Sequence, residues 1–226
     1  MSSLRVVVFG VVTGAFATAI AGPVSGKLDL PPPPDRPPPA TKGFLDRVEN
    51  PLAPAKPVAV TPSMIVVLEG DAKPSSPGQV TWELVGESFA RPVMGAPAGS
   101  EVVIKNTSRT ARTLVAAEDP KLVQAGPINP TGTKSFRVPE GGKVYSIGDA
   151  DAPHLRGKLV VTSSPYVALV DEAGKFDFGE VAEGSYKLKV FYKDRWLEGA
   201  TDVNVGNKGK VEVNPKVPAL VQPAKK

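Results

Sequence analysis

The chain has 226 residues, with 27 Lys and Arg against 23 Asp and Glu for a net charge of +4, no cysteine, 25 prolines and 22 glycines. So small a surplus, scattered among acids except at Lys208, Lys210, Lys216, Lys225 and Lys226, provides no basic stripe for nucleic acid and gives the tail only a weak preference for an anionic surface. Without cysteine there is neither a disulfide nor a thiolate metal ligand, so stability has to come from a hydrophobic core.

At the amino terminus Arg5 precedes an apolar run over 6–20 and the small-residue site Ala19-Ile20-Ala21. This is the order of a secretory signal peptide, 1–21, cut after Ala21. The alternative, a retained anchor, is disfavoured because the run of 15 residues is shorter than the ~20 needed to span a bilayer. No later segment is apolar enough to cross a membrane, so the mature chain is expected to be periplasmic or secreted.

Prolines and glycines fall between short β-branched runs, the punctuation of an all-β protein. Strands are predicted at 24–30, 64–69, 79–85, 101–106, 113–117, 134–138, 143–147, 158–162, 166–171, 185–192, 202–205 and 210–214. A two-residue period is clearest where Tyr186, Leu188, Val190 and Tyr192 share one face and Lys187, Lys189 and Phe191 the other. Short helical turns are predicted only at 42–48 and 118–124. Residues 22–63 read as an opening strand and a proline-rich linker. Its run 31–39 is expected to form polyproline II, a stiff spacer extending ~3.1 Å per residue, with a docking ligand for an aromatic-lined groove as the alternative.

Several phrases carry a family resemblance. Met64-Ile65-Val66-Val67-Leu68-Glu69-Gly70, Phe89-Ala90-Arg91-Pro92-Val93, Gly99-Ser100-Glu101-Val102-Val103-Ile104-Lys105-Asn106 and the turn Asn106-Thr107-Ser108 resemble the cupredoxin-like proteins of the methylamine-utilisation type. The resemblance implies a Greek-key sandwich over 64–163. Its copper ligands would fall on Arg112 for the first histidine, Ser146 for the cysteine, His154 for the second histidine and Leu155 for the methionine. Guanidinium, hydroxyl and alkyl groups do not rebuild a blue-copper site, which depends on thiolate and imidazole, so no cofactor is expected.

Asp171-Glu172-Ala173-Gly174-Lys175-Phe176 and Gly184-Ser185-Tyr186-Lys187-Leu188 resemble the carboxypeptidase-regulatory-like or transthyretin-like fold, placed at 164–214. Val24-Ser25-Gly26-Lys27-Leu28 resembles the opening strand of the same module, which implies that the cupredoxin-like part is inserted within it. The tail 215–226 reads as disordered.

Ser146, His154 and Asp149 contain the groups of a hydrolase triad, but no nucleophile elbow is visible. Asp149 and Asp151 form an Asp-x-Asp pair whose spacing fails the calcium-loop pattern. The expectation is therefore a non-catalytic binding or structural component of the cell envelope with a protein partner. Arg109 and Arg112 are candidate bidentate grips for a carboxylate or phosphate, and Trp196 is a candidate exposed contact. A periplasmic copper or electron-transfer protein and a carbohydrate-binding accessory module are the alternatives.

Overall fold

The computed structural model describes residues 22–30, 60–70, 78–139, 141–206 and 209–218. They form four sheets and no α-helix. In chain order the strands are β1 (Gly22–Lys27), β2 (Met64–Glu69), β3 (Gln79–Val85), β4 (Ser88–Phe89), β5 (Val93–Pro97), β6 (Glu101–Asn106), β7 (Leu114–Ala116) and β8 (Thr133–Arg137). There follow β9 (Lys143–Asp149), β10 (Arg156–Thr162), β11 (Tyr166–Leu169), β12 (Lys175–Val181), β13 (Gly184–Tyr192), β14 (Arg195–Trp196), β15 (Thr201–Val205) and β16 (Val211–Val213).

The first sandwich faces the sheet β4-β3-β6-β8 with the sheet β5-β10-β9-β7. Its core comes from the inward half of each alternating strand: Trp82 and Leu84 from β3, Val102 and Ile104 from β6, Tyr145 and Ile147 from β9, Leu159 and Val161 from β10. The pairs β3–β6 and β5–β10 are parallel and their other neighbours antiparallel, as a Greek-key path requires.

The second sandwich faces β12-β1-β16 with β11-β2-β13-β14, and β15 also pairs with β13. As the two-residue period predicts, Tyr186, Leu188, Val190 and Tyr192 enter its core. Phe191, on the other face, packs with Ile65, Val67, Val93 and Val160 between the two sandwiches. The sheets therefore stack four deep, with β11-β2-β13-β14 in the middle covered on both faces.

This arrangement explains why β2 is an unbroken apolar run. Met64, Val66 and Leu68 serve the second core, Ile65 and Val67 the contact between sandwiches; a strand buried on both faces loses its polar alternation. The resemblance placed Met64–Glu69 in the cupredoxin-like unit, but it hydrogen-bonds to β11 and β13 of the second sandwich. The first sandwich is thus inserted between β2 and β11. Gly95 permits the close approach of the two units, because a Cβ there would lie 2.5 Å from Val167 Cγ1 and 2.9 Å from Ile65 Cδ1. Arg91 ties them further, donating from Nη2 to Thr61 O (3.2 Å) and Val170 O (2.8 Å).

Two other expectations change. Residues 118–124 form turns and no helix. The tail is partly structured: Asp29 N–H donates to Pro215 O (3.0 Å), Val217 N–H to Asp29 O (3.0 Å), and Val217 is buried in the second core. The signal peptide, the proline run 31–39, the turn at 42–48 and residues 219–226 lie outside the described residues. Within those residues no helix is long and apolar enough to cross a membrane.

Candidate functional site

The end of the first sandwich where β6 and β9 finish is built around Asn106, which is completely buried. Its Nδ2 donates to Thr110 O (2.8 Å), Ile128 O (2.8 Å) and Asn129 O (3.3 Å), and its Oδ1 accepts from Ser108 N (3.0 Å) and Ser108 Oγ (2.6 Å). One amide thus ties the turn that follows β6 to the segment at Ile128 and Asn129 that leads into β8, as buried polar groups require. The turn delivers Arg112, whose backbone exchanges two hydrogen bonds with Ile128 (3.1 and 2.8 Å).

The Arg112 side chain runs inward. Only 8% of it is exposed, and Nη1 lies 3.6 Å from Oδ2 of Asp149, whose side chain is 1% exposed. Arg112 Nη2 also donates to Gly86 O at 3.3 Å, while Nε has no partner among the described residues. Asp149 Oδ1 accepts from Asp151 N–H at 2.9 Å. Leu155, fully buried, belongs to the core beneath. A desolvated ion pair over an apolar floor closes this end of the sandwich.

The predicted site residues therefore separate. Arg112 is a buried cation whose charge is committed to Asp149, so it is neither free to grip a partner's carboxylate or phosphate nor part of a solvent-facing surface. Arg109 remains exposed, beside a small cavity of about 320 Å³ that includes Gly86, Glu87 and Thr110. Ser146 does not share the interior with Arg112. Along β9 the inward positions are Tyr145, Ile147 and Asp149, so Ser146 points to the opposite face. There its Oγ donates to Glu118 Oε1 (2.6 Å) and accepts from Lys158 Nζ (2.6 Å), and its N–H donates to Glu118 Oε2 (2.6 Å). Burial raises the Glu118 carboxyl, but the Ser146 hydroxyl, the Ser146 and Glu118 N–H groups and Lys158 outweigh it and hold it below its ordinary value.

His154 is exposed, with Nε2 3.4 Å from Glu87 Oε2. Ser146, His154 and Asp149 thus take three different partners and do not converge as a triad. Trp196 is in β14 and not in a loop. Its ring packs edge-on against Phe191, with centroids 5.2 Å apart, and it keeps 38% of its surface in solvent.

Sequence reasoning missed Asp149 as the partner of Arg112. The signal was present, since Tyr145 and Ile147 fix the inward parity that Asp149 shares. It also missed the Ser146–Glu118–Lys158 cluster, which joins residues from β9, β10 and a loop and has no sequence spacing to reveal it.

The donor set at the sandwich end does not fit copper. Arg112 offers no lone pair, Leu155 none, Ser146 faces away and His154 is on the surface; a blue-copper centre needs thiolate and imidazole on one metal. Among the described residues no three His, Cys, Asp or Glu side chains converge for a metal ion.

The fold and site define an all-β protein of two joined sandwiches, with an ion pair filling the interior end of the first. No protein-family model matches the chain, and no curated protein matches it. Among solved structures it is similar to a purple cupredoxin from Nitrosopumilus maritimus, at 16% identity over 37% of this chain and 99% of that one, with a TM-score of 0.33. It is also similar to amicyanin from Paracoccus versutus, at 15% identity over 42% of this chain and 96% of that one, TM-score 0.33. At such identities and scores nothing about ligands or activity passes from those proteins to this chain.

Proposed function

We propose that the protein is an exported, non-catalytic binding or structural component of the cell envelope that acts through protein–protein contacts of a metal-free cupredoxin-like sandwich. The observation that carries this reading is the Arg112–Asp149 pair, which commits the polar groups at the sandwich end to each other and leaves neither a metal site nor a reacting group there. The exposed loops around it, with Arg109 on one side and His154 on the other, form the contact surface. The test is crosslinking in intact cells with a tagged copy. A reproducible envelope partner that is lost in Arg109→Glu supports the reading; recovery of the protein alone contradicts it.

A carbohydrate-binding role is supported by a different observation. Trp196 lines a cavity of about 590 Å³ together with Glu69, Ser163, Ser185 and Lys187, and an exposed indole beside hydroxyl and charged groups suits a sugar ring. Binding to envelope polysaccharide that Trp196→Ala abolishes would favour this second reading.

A further inference from the structure

The face of the β5-β10-β9-β7 sheet that turns away from the first core is only half covered. Val93, Val144 and Val160 lie against the second sandwich. On the same face the alternation continues to Lys158 on β10, to Ser146 and Gly148 on β9 and to Val115 on β7, where the Glu118 side chain reaches Ser146 and Val115 stays exposed. Beside this open half stands the β13–β14 turn, whose Lys193 has φ of 57°. The result is a groove of about 700 Å³, within the ~300–1,000 Å³ usual for small-molecule sites, which combine an apolar lining with a few placed polar groups.

Its walls are largely apolar, with Pro92, Val93, Val115 and Pro153 contributing. Gly148 puts no side chain into the floor, and Val115 is 38% exposed. The polar groups are mostly cationic: Arg156, Lys158 and Lys193. The two carboxylates nearby are already engaged, Glu118 by Ser146 and Lys158, and Asp149 by Arg112 on the inner face. Lys193 lies 5.2 Å above the Tyr192 ring, and neither it nor Arg156 forms an ion pair among the described residues.

From this charge complementarity we infer that the groove binds a small amphipathic anion, an apolar chain or ring bearing one carboxylate-type group. The apolar body lies on Val115 and Pro153, and the head group meets Lys193 and Arg156. The groove adjoins the proposed contact surface through the 150–156 loop, but its Lys193 end belongs to the second sandwich, and its occupancy by a small anion is read without any protein partner.

The test is calorimetric titration of the full exported protein with sodium decanoate, below its micelle concentration, beside decanol. Wild type is expected to bind one decanoate and to bind decanol about tenfold more weakly, the scale of one charge-assisted contact. Lys193→Glu and Val115→Glu both change exposed positions, and each is expected to weaken decanoate about tenfold or more with an unchanged melting temperature. No decanoate binding by wild type, equal binding of decanol, or binding unaffected by both substitutions overturns the proposal.

Discussion

Replacing Arg112 with alanine is the most informative perturbation of the fold, because it leaves a carboxylate at the interior end of the sandwich with its cation removed. Breaking a buried ion pair from one side costs about 3–5 kcal/mol, most of it the penalty of an unpaired buried charge. Asp149 keeps the Asp151 N–H at 2.9 Å, and the ion-pair separation of 3.6 Å is longer than a direct hydrogen bond. Both facts put the expected loss at the lower end, about 3 kcal/mol. For a chain of this size that corresponds to a fall in Tm of about 6–12 °C. The companion variant, Arg112→Met with Asp149→Leu, removes both charges and keeps apolar volume, so its stability is expected to lie within about 1 kcal/mol of wild type or above it. Urea denaturation of Arg112→Met, of Asp149→Leu and of the double variant closes a cycle in which the double change costs much less than the sum. A loss below about 1 kcal/mol in Arg112→Ala, or additive effects, would refute the paired, desolvated arrangement.

Three further outcomes follow from the same structure. Asn106→Asp removes the donor that serves Thr110, Ile128 and Asn129 and faces their carbonyl oxygens with a carboxylate; denaturation should show a loss of at least about 2–3 kcal/mol, and an unchanged midpoint would contradict the network. Gly95→Val forces a branched side chain into the contact between sandwiches, where a Cβ already meets Val167 at 2.5 Å, so about 1–3 kcal/mol should be lost to overpacking; wild-type stability would mean that the two units do not pack there. Burial, followed by the neighbouring Tyr166, raises the Tyr186 phenol to about 12, against about 10 in an unfolded chain. The neutral ring's contribution is therefore complete below pH ~10 and lost as pH rises through about 12. Ultraviolet titration should show one late tyrosinate, absent in Tyr186→Phe.

Much of the strand framework was legible because alternation and turn residues are local signals. β2, β3 and β6 run over the predicted residues, and the parity of β13 places Phe191 on its own face. β5 was hidden because Pro92 and Pro97 bracket it and Gly95 interrupts it; as an edge strand of its sheet it tolerates the proline at its end. β12 was hidden because Phe176 and Phe178 alternate with charged residues and Gly179, at φ of 66°, interrupts the run. The pairing of β2 with β13 is a long-range choice that no window of sequence contains. The site was legible only in part. The absence of cysteine and the single histidine could be read from the residue types, whereas the burial of Arg112 and its pairing with Asp149 depend on which face of β9 points inward. The groove at Lys193 brings a turn of the second sandwich to the sheet of the first and leaves no trace in either segment alone.

The desolvated Arg112–Asp149 pair closes the end of the first sandwich and commits its polar groups to each other. Equilibrium titration of the wild-type protein with copper, read by calorimetry and visible absorption, tests whether that end can also hold a metal. No stoichiometric binding and no charge-transfer band are expected. One copper per chain with a thiolate-free but saturable site, lost on substitution of His154 or Asp149, would contradict that expectation.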